Sequence, residues 1–167
     1  MIRVDVETII MAAGPVPSIV VLRERSSSTG SESPLRALSI QTGSYEAASV
    51  GRGIDTGDVP RPITHDLMLE VIRSLSAKVE RVEINRVEAP VFYATVVLSR
   101  DGAAEVKLDA RPTDALALAV RANAPIYVED DVMNRAGNIS FRTGGENGEE
   151  ELARFDEFVQ TLSPDDF

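Results

Sequence analysis

The stretch KLDARPTDALALAVR, residues 107–121, brings Asp109, Arg111 and Asp114 together where an alternating segment gives way to small apolar residues. Two carboxylates so spaced, one at a strand end and one in the first helical turn, can come within reach of one cation. With water and a substrate phosphate they would hold Mg²⁺ or Mn²⁺, an ion that polarises a phosphoryl group and activates water. Arg111 between them can grip a phosphate with its planar fork, or can neutralise one of the aspartates. A purely structural reading stands beside this one. Asp114 in a first turn is favoured by unpaired N–H groups and the helix dipole whether or not a ligand is present. Asp109 shares the polar side of its strand with Glu105 and Lys107, opposite Ala104, Val106, Leu108 and Ala110.

Asp114, Leu118 and Arg121 recur at i, i+4 and i+7 and so share a helical face, yet residues 115–120 between them are all apolar. A helix of that composition is expected to be buried nearly all round, and its charges must be paired or liganded. His65 is the single histidine. It excludes a multi-histidine metal site within one chain and leaves a lone ligand, a general base, or a polar residue at a helix start whose ring Asp66 could orient. The chain has no cysteine, so thiolate zinc sites, thiol nucleophiles and disulfides are excluded. No Gly-x-Ser-x-Gly elbow supports serine catalysis, and GRGIDTG at 51–57 has neither P-loop nor dinucleotide-fold spacing.

The elements that must position these residues can be read from periodicity. Residues 2–10, 18–22 and 35–40 are expected as strands, the polar run 26–34 as a mobile hairpin loop, 43–50 as a short helix and 51–62 as an irregular connection. Thr64 is placed to cap the next helix, with Asp66 in its first turn and Leu67, Met68, Val71, Ile72 and Leu75 as one apolar stripe. Strands follow at 79–87, 91–99 and 104–110, the last two joined through Asp101-Gly102. Pro112 suits the first position of a helix running to about Ala122, and a short strand follows at 125–128. Residues 38–50 and 106–118 align without a gap, Glu46 falling on Asp114, which suggests three strands and a helix used twice. The expected fold class is therefore α+β, with antiparallel or mixed sheets and packed helices. One domain is expected over 1–139, a flexible linker over 140–148, and an amphipathic helix with a tail over 149–167, whose apolar side carries Leu152, Phe155, Phe158, Val159 and Leu162.

With 167 residues, 43% of them hydrophobic, the chain fits one globular domain. Its start lacks the basic head and apolar run of a signal peptide and no window reaches the length of a membrane span, so a cytoplasmic location with no membrane contact is expected. The formal charge of −10 argues against a broad electropositive surface. Any contact with nucleic acid must be local.

RPITHDLMLEVIRSL at 61–75, VERVEI at 79–84, VFYATVVL at 91–98, LDARPTDALALAVRANAPIYV at 108–128 and FDEFVQTLSPDDF at 155–167 resemble, in that order, the bifunctional nuclease domain family of bacteria and plants. The resemblance implies cleavage of DNA and RNA, self-association, and the duplicated α+β plan. It places His65 and Asp66 in the family's His-Asp-Leu motif and Phe92 and Tyr93 in its Phe-Tyr-Ala motif. Asp109, Arg111, Thr113, Asp114 and Arg121 fall in the Asp-Ala-Arg-Pro-Ser-Asp motif and its helix, with Thr113 replacing the commoner serine.

The expectation is thus a nuclease-type phosphodiesterase. A divalent ion would be held by Asp109 and Asp114, phosphate charge met by Arg111, Thr113 and Arg121, and protons moved by His65 with Asp66 beside it. The alternative is a non-catalytic oligomeric scaffold in which the same acids and arginines form structural ion pairs.

Overall fold

The computed structural model describes residues 1–25, 35–55, 57 and 61–139. The expected hairpin loop at 26–34, the linker at 140–148 and the amphipathic helix within 149–167 lie outside the described residues.

Chain order repeats a simple unit. Strands β1 (Ile2–Ile10), β2 (Ser18–Glu24) and β3 (Arg36–Thr42) form an antiparallel meander and lead into helix α1 (Ser44–Ile54). After helix α2 (Thr64–Ser74), strands β4 (Lys78–Glu88), β5 (Val91–Ser99) and β6 (Val106–Ala110) form a second meander and lead into helix α3 (Pro112–Ala122). The doubled plan read from the sequence is therefore present in the fold. Strand β7 (Ile126–Val128) joins the halves, lying parallel to β4 and antiparallel to β1. Helix α4 (Asp130–Ala136) and strand β8 (Gly137–Ile139) close the described chain, with β8 on β3. The sheet order is β6-β5-β4-β7-β1-β2-β3-β8. Among the described residues this is one mixed, mainly antiparallel sheet with helices packed on it, an α+β fold.

The register sorts side chains by face, because directly paired residues project to the same side. Leu108, Val96, Val82 and Ile126 form one paired row, and Ala110, Ala94, Ile84 and Val128 another. These rows meet Leu116 and Leu118 of α3 in the buried core. Between them runs the row Asp109, Thr95, Glu83, Tyr127 and Arg3, which must project from the opposite face.

α3 forms where expected. Pro112 needs no N–H partner at the first position, Thr113 and residues 115–119 are buried, and Asn123 ends the helix in the left-handed region at φ 51°. α1 differs from expectation, continuing through Gly51 and Gly53 to Ile54 instead of breaking at 51. Packing overrides the low helix propensity of glycine here. A Cβ on Gly53 would stand 2.5 Å from Val120 Cγ2 and 2.7 Å from Arg121 Nη1, so the missing side chain is what lets α1 close on α3.

α2 differs more. Ile63, not Thr64, is its N-cap residue, and Asp66 reaches back to accept the Ile63 N–H at 2.9 Å. Its buried residues are Leu69 and Ile72, while Leu67, Met68, Val71 and Leu75 of the expected stripe are exposed. α2 buries Leu69 and Ile72 in the core, and among the described residues most of its apolar side stays exposed. Among the described residues no helix is long and apolar enough to cross a membrane.

Candidate active site

A cavity of about 960 Å³ opens where the starts of α1, α2 and α3 converge on the end of β6. Its floor is apolar, built from Met68, Ile72, Val96, Leu108 and Leu118, and its polar groups come from Glu46, Ser49, His65, Arg111 and Asp114. They come from three pieces of sequence, α1, α2 and the start of α3, and α1 and α3 both begin directly after the last strand of a meander.

His65 stands between two partners. Its Nε2 lies 3.2 Å from Asp114 Oδ1, and its Nδ1 lies 2.8 Å from Ser49 Oγ. An ionised carboxylate can only accept, so Nε2 carries the shared proton, and in the neutral ring Nδ1 accepts from the Ser49 hydroxyl. Arg111 closes the other side of Asp114, with Nε 2.8 Å from Oδ2 and Nη2 3.3 Å from Oδ1, while Nη1 reaches Glu46 Oε1 at 3.3 Å. Burial pushes the Asp114 carboxyl up, but the hydrogen bonds and charge of Arg111, followed by the His65 contact, outweigh it and hold the group below the ordinary carboxylate range. The Arg111 guanidinium is raised in turn, chiefly by its hydrogen bonds to Asp114. Its side chain is still 66% exposed, so it presents donors to the mouth of the cavity.

Asp66 and Arg121 are not part of this group. Successive helical residues point about 100° apart, so His65 turns to the large cavity while Asp66 turns to a smaller one of about 420 Å³ that Arg121 also lines. Asp66 is held by the Ile63 N–H and by Arg121 Nε at 2.6 Å, and the N–H followed by the guanidinium lowers its carboxyl pKa. Arg121 is only 6% exposed and also donates from Nη1 to the carbonyls of Ser49 and Ala117. It ties α3 to α1 and α2 from the wall of the smaller cavity. Thr113 is likewise buried in the first turn of α3 and does not line the cavity. The structure thus places Asp66 and Arg121 around the smaller cavity and Thr113 in the buried first turn of α3.

The two carboxylates expected to share a cation come from adjoining elements, Asp109 from β6 and Asp114 from the first turn of α3. Asp109 is paired with Thr95, and Thr95 with Glu83, in the row alternate to Leu108 and Ala110, and it is among the residues that line the cavity. Both oxygens of Asp114 are already engaged by Arg111 and His65. Among the described residues no group of three or more His, Asp or Glu is placed to hold a metal ion.

Ser49 and Glu46 were not anticipated as site residues. Glu46 had a signal, since it aligns with Asp114 in the internal repeat. Ser49 had none, because nothing in its own helix marks the histidine that arrives from the next one.

The arrangement belongs to a class, an α+β domain with a histidine–carboxylate pair and an exposed arginine at an apolar cavity. The bifunctional nuclease domain matches residues 20–140. Two uncharacterized proteins of Mycobacterium tuberculosis, from strains CDC 1551 and H37Rv, are each 36% identical to the chain over 137 residues, covering 79% of it and 81% of their own length. The chain belongs to the bifunctional nuclease domain family.

Proposed function

We propose that the chain is a cytoplasmic nuclease-type phosphodiesterase whose chemistry is carried by His65, Asp114 and Arg111. The observation that carries this reading is His65 held between Ser49 and Asp114 at the rim of a cavity that Arg111 overlooks. Asp114 fixes the tautomer through Nε2 and stabilises the imidazolium, so Nδ1 is the atom that exchanges protons. A water that takes the position of Ser49 Oγ loses its proton to Nδ1 as it attacks phosphorus and the ester P–O bond breaks. The same proton then passes to the departing alkoxide.

Three of the five N–H groups of Arg111 are spent on Asp114 and Glu46. Two remain for a non-bridging phosphate oxygen, where a guanidinium is most effective. The apolar floor gives a nucleobase somewhere to lie, and the cavity volume suits one nucleotide. Local recognition of this kind is compatible with a net charge of −10, whereas a wide electrostatic footprint is not. The test is cleavage of single-stranded RNA and DNA by the purified chain with and without chelator, beside His65→Ala and Asp114→Asn. Cleavage that survives chelation and is lost in both variants supports the reading. Cleavage that requires Mg²⁺ or Mn²⁺ returns the carboxylates to a metal-binding role.

A second reading is favoured by the way both charges of α3 are already neutralised, Asp114 by Arg111 and Arg121 by Asp66. In it the domain is a scaffold without catalysis. No cleavage by the parent, together with loss of folding in both variants, supports that outcome.

A further inference from the structure

A further cavity, of about 540 Å³, adjoins the large one, and the two share Tyr45 and Glu46. One wall is the start of α1, and the other is the turn between β1 and β2, residues 12–17. That turn is held in shape by the Ala12 N–H donating to Ser18 Oγ at 3.1 Å and by Pro15 and Pro17, with Gly14 supplying a φ of 75°. The one charged residue lining this cavity is Glu46, which Arg111 already contacts, so it offers nothing to a phosphate. It offers instead the apolar Pro15, Val16 and Pro17, together with Thr42 and Ser44, whose hydroxyls can donate or accept. Such a lining suits a flat neutral ring with polar edges. Tyr45 stands at the junction and is 90% exposed, the one exposed aromatic among the described residues. A lone exposed ring is ordinary on a protein surface. A ring on the lip common to two cavities, next in sequence to the Glu46 that Arg111 contacts, is placed to serve both.

We propose that this cavity is a second base subsite with Tyr45 as its stacking platform, so that the substrate is an unpaired strand of at least two nucleotides. The proposal deepens the nuclease reading and rests on it. With the scissile phosphate at Arg111, one neighbouring base lies on the apolar floor of the large cavity and the other stacks on Tyr45 beside the β1–β2 turn. Every base has a π face, so a tyrosine platform accepts any of them, and hydroxyls that donate or accept do not choose among them either. The site therefore reads strandedness and not sequence. In a duplex both faces of each base are covered by its neighbours, and reaching Tyr45 would require breaking a pair and its stacking. Tyr45 is thus a positioning residue that holds the strand in register and takes no part in breaking the bond.

Anisotropy of a short fluorescein-labelled single strand tests the subsite apart from the chemistry, using the full chain with His65→Ala so that no cleavage intervenes. Adding Tyr45→Ala should raise the Kd roughly tenfold or more. Tyr45→Phe keeps the ring and should bind as tightly as tyrosine does. A blunt duplex of the same sequence should bind roughly tenfold more weakly than the single strand. With His65 intact, Tyr45→Ala should raise KM by a similar factor and leave kcat within about twofold, the mark of lost binding and not of lost chemistry. Melting temperatures should not move, since the ring is exposed. A single strand bound equally well by Tyr45→Ala, a Tyr45→Phe defect as large as that of Tyr45→Ala, or a duplex bound as tightly as the single strand would each overturn the proposal. Binding that depends on Tyr45 in a chain that never cleaves would remove the nuclease reading and leave the subsite. Cleavage with an unchanged KM in Tyr45→Ala would do the reverse, and a chain that binds no single strand would overturn both.

Discussion

His65 and Asp114 are 49 positions apart in the chain, yet His65 Nε2 lies 3.2 Å from Asp114 Oδ1. The contact exists because α2 and α3 start side by side, and it gives an otherwise solitary histidine a fixed tautomer. Replacing either member should remove the same function. His65→Ala and Asp114→Asn should each lower cleavage by roughly 100-fold or more, and the double variant should fall little further, since residues acting as a unit are not additive. Single-turnover rates on one oligonucleotide would check this.

Arg121 is predicted to matter for folding and not for chemistry. Its guanidinium binds Asp66 and two carbonyls in a nearly closed setting. Arg121→Ala should cost about 3 kcal/mol, because it leaves the partners unpaired. Urea unfolding would measure the loss, and cleavage per folded molecule should stay near the parent value.

Acid should expose the Asp66 contribution. The Ile63 N–H, followed by Arg121, depresses the Asp66 pKa in the folded chain. A depressed carboxylate stabilises the fold above its unfolded pKa of about 4, and that stability is lost as pH falls through the lower folded value. Asp66→Asn should therefore be less stable than the parent at neutral pH, by about 1 to 2 kcal/mol. The gap should close as the solution is acidified below pH about 4, which unfolding curves across that range would show.

Gly53 is the contact point of α1 and α3. Gly53→Ala gains helix propensity but forces a methyl group against Val120 and Arg121, and overpacking should win by about 1 to 3 kcal/mol. A thermal melt that rises instead would show that the helices separate without penalty.

The parts of the fold that were legible in the sequence are those where local pattern and burial agree. β2 and β3 alternate because one face meets the core, and the Ala-Leu run of α3 is apolar all round because residues 115–119 are all buried. α2 misleads for the opposite reason. Five apolar residues mark one side of it, but the fold buries Leu69 and Ile72, and only Ile72 was in that set. α4 and β8 are seven and three residues long, too short for either periodicity to register. At the site, residue identity was more legible than grouping. His65, Arg111 and Asp114 meet, whereas Asp66 pairs with Arg121 at the smaller cavity and Asp109 lies in the row of Thr95 and Glu83. Grouping depends on side-chain direction, which a linear motif does not carry.

The most direct measurement is cleavage of a labelled oligonucleotide by His65→Ala and Asp109→Asn, run beside the parent with all three melting at the same temperature. The account predicts that His65→Ala loses nearly all activity while Asp109→Asn keeps most of it. Full activity in His65→Ala, or its loss in Asp109→Asn, would contradict the assignment of the chemistry to His65, Asp114 and Arg111.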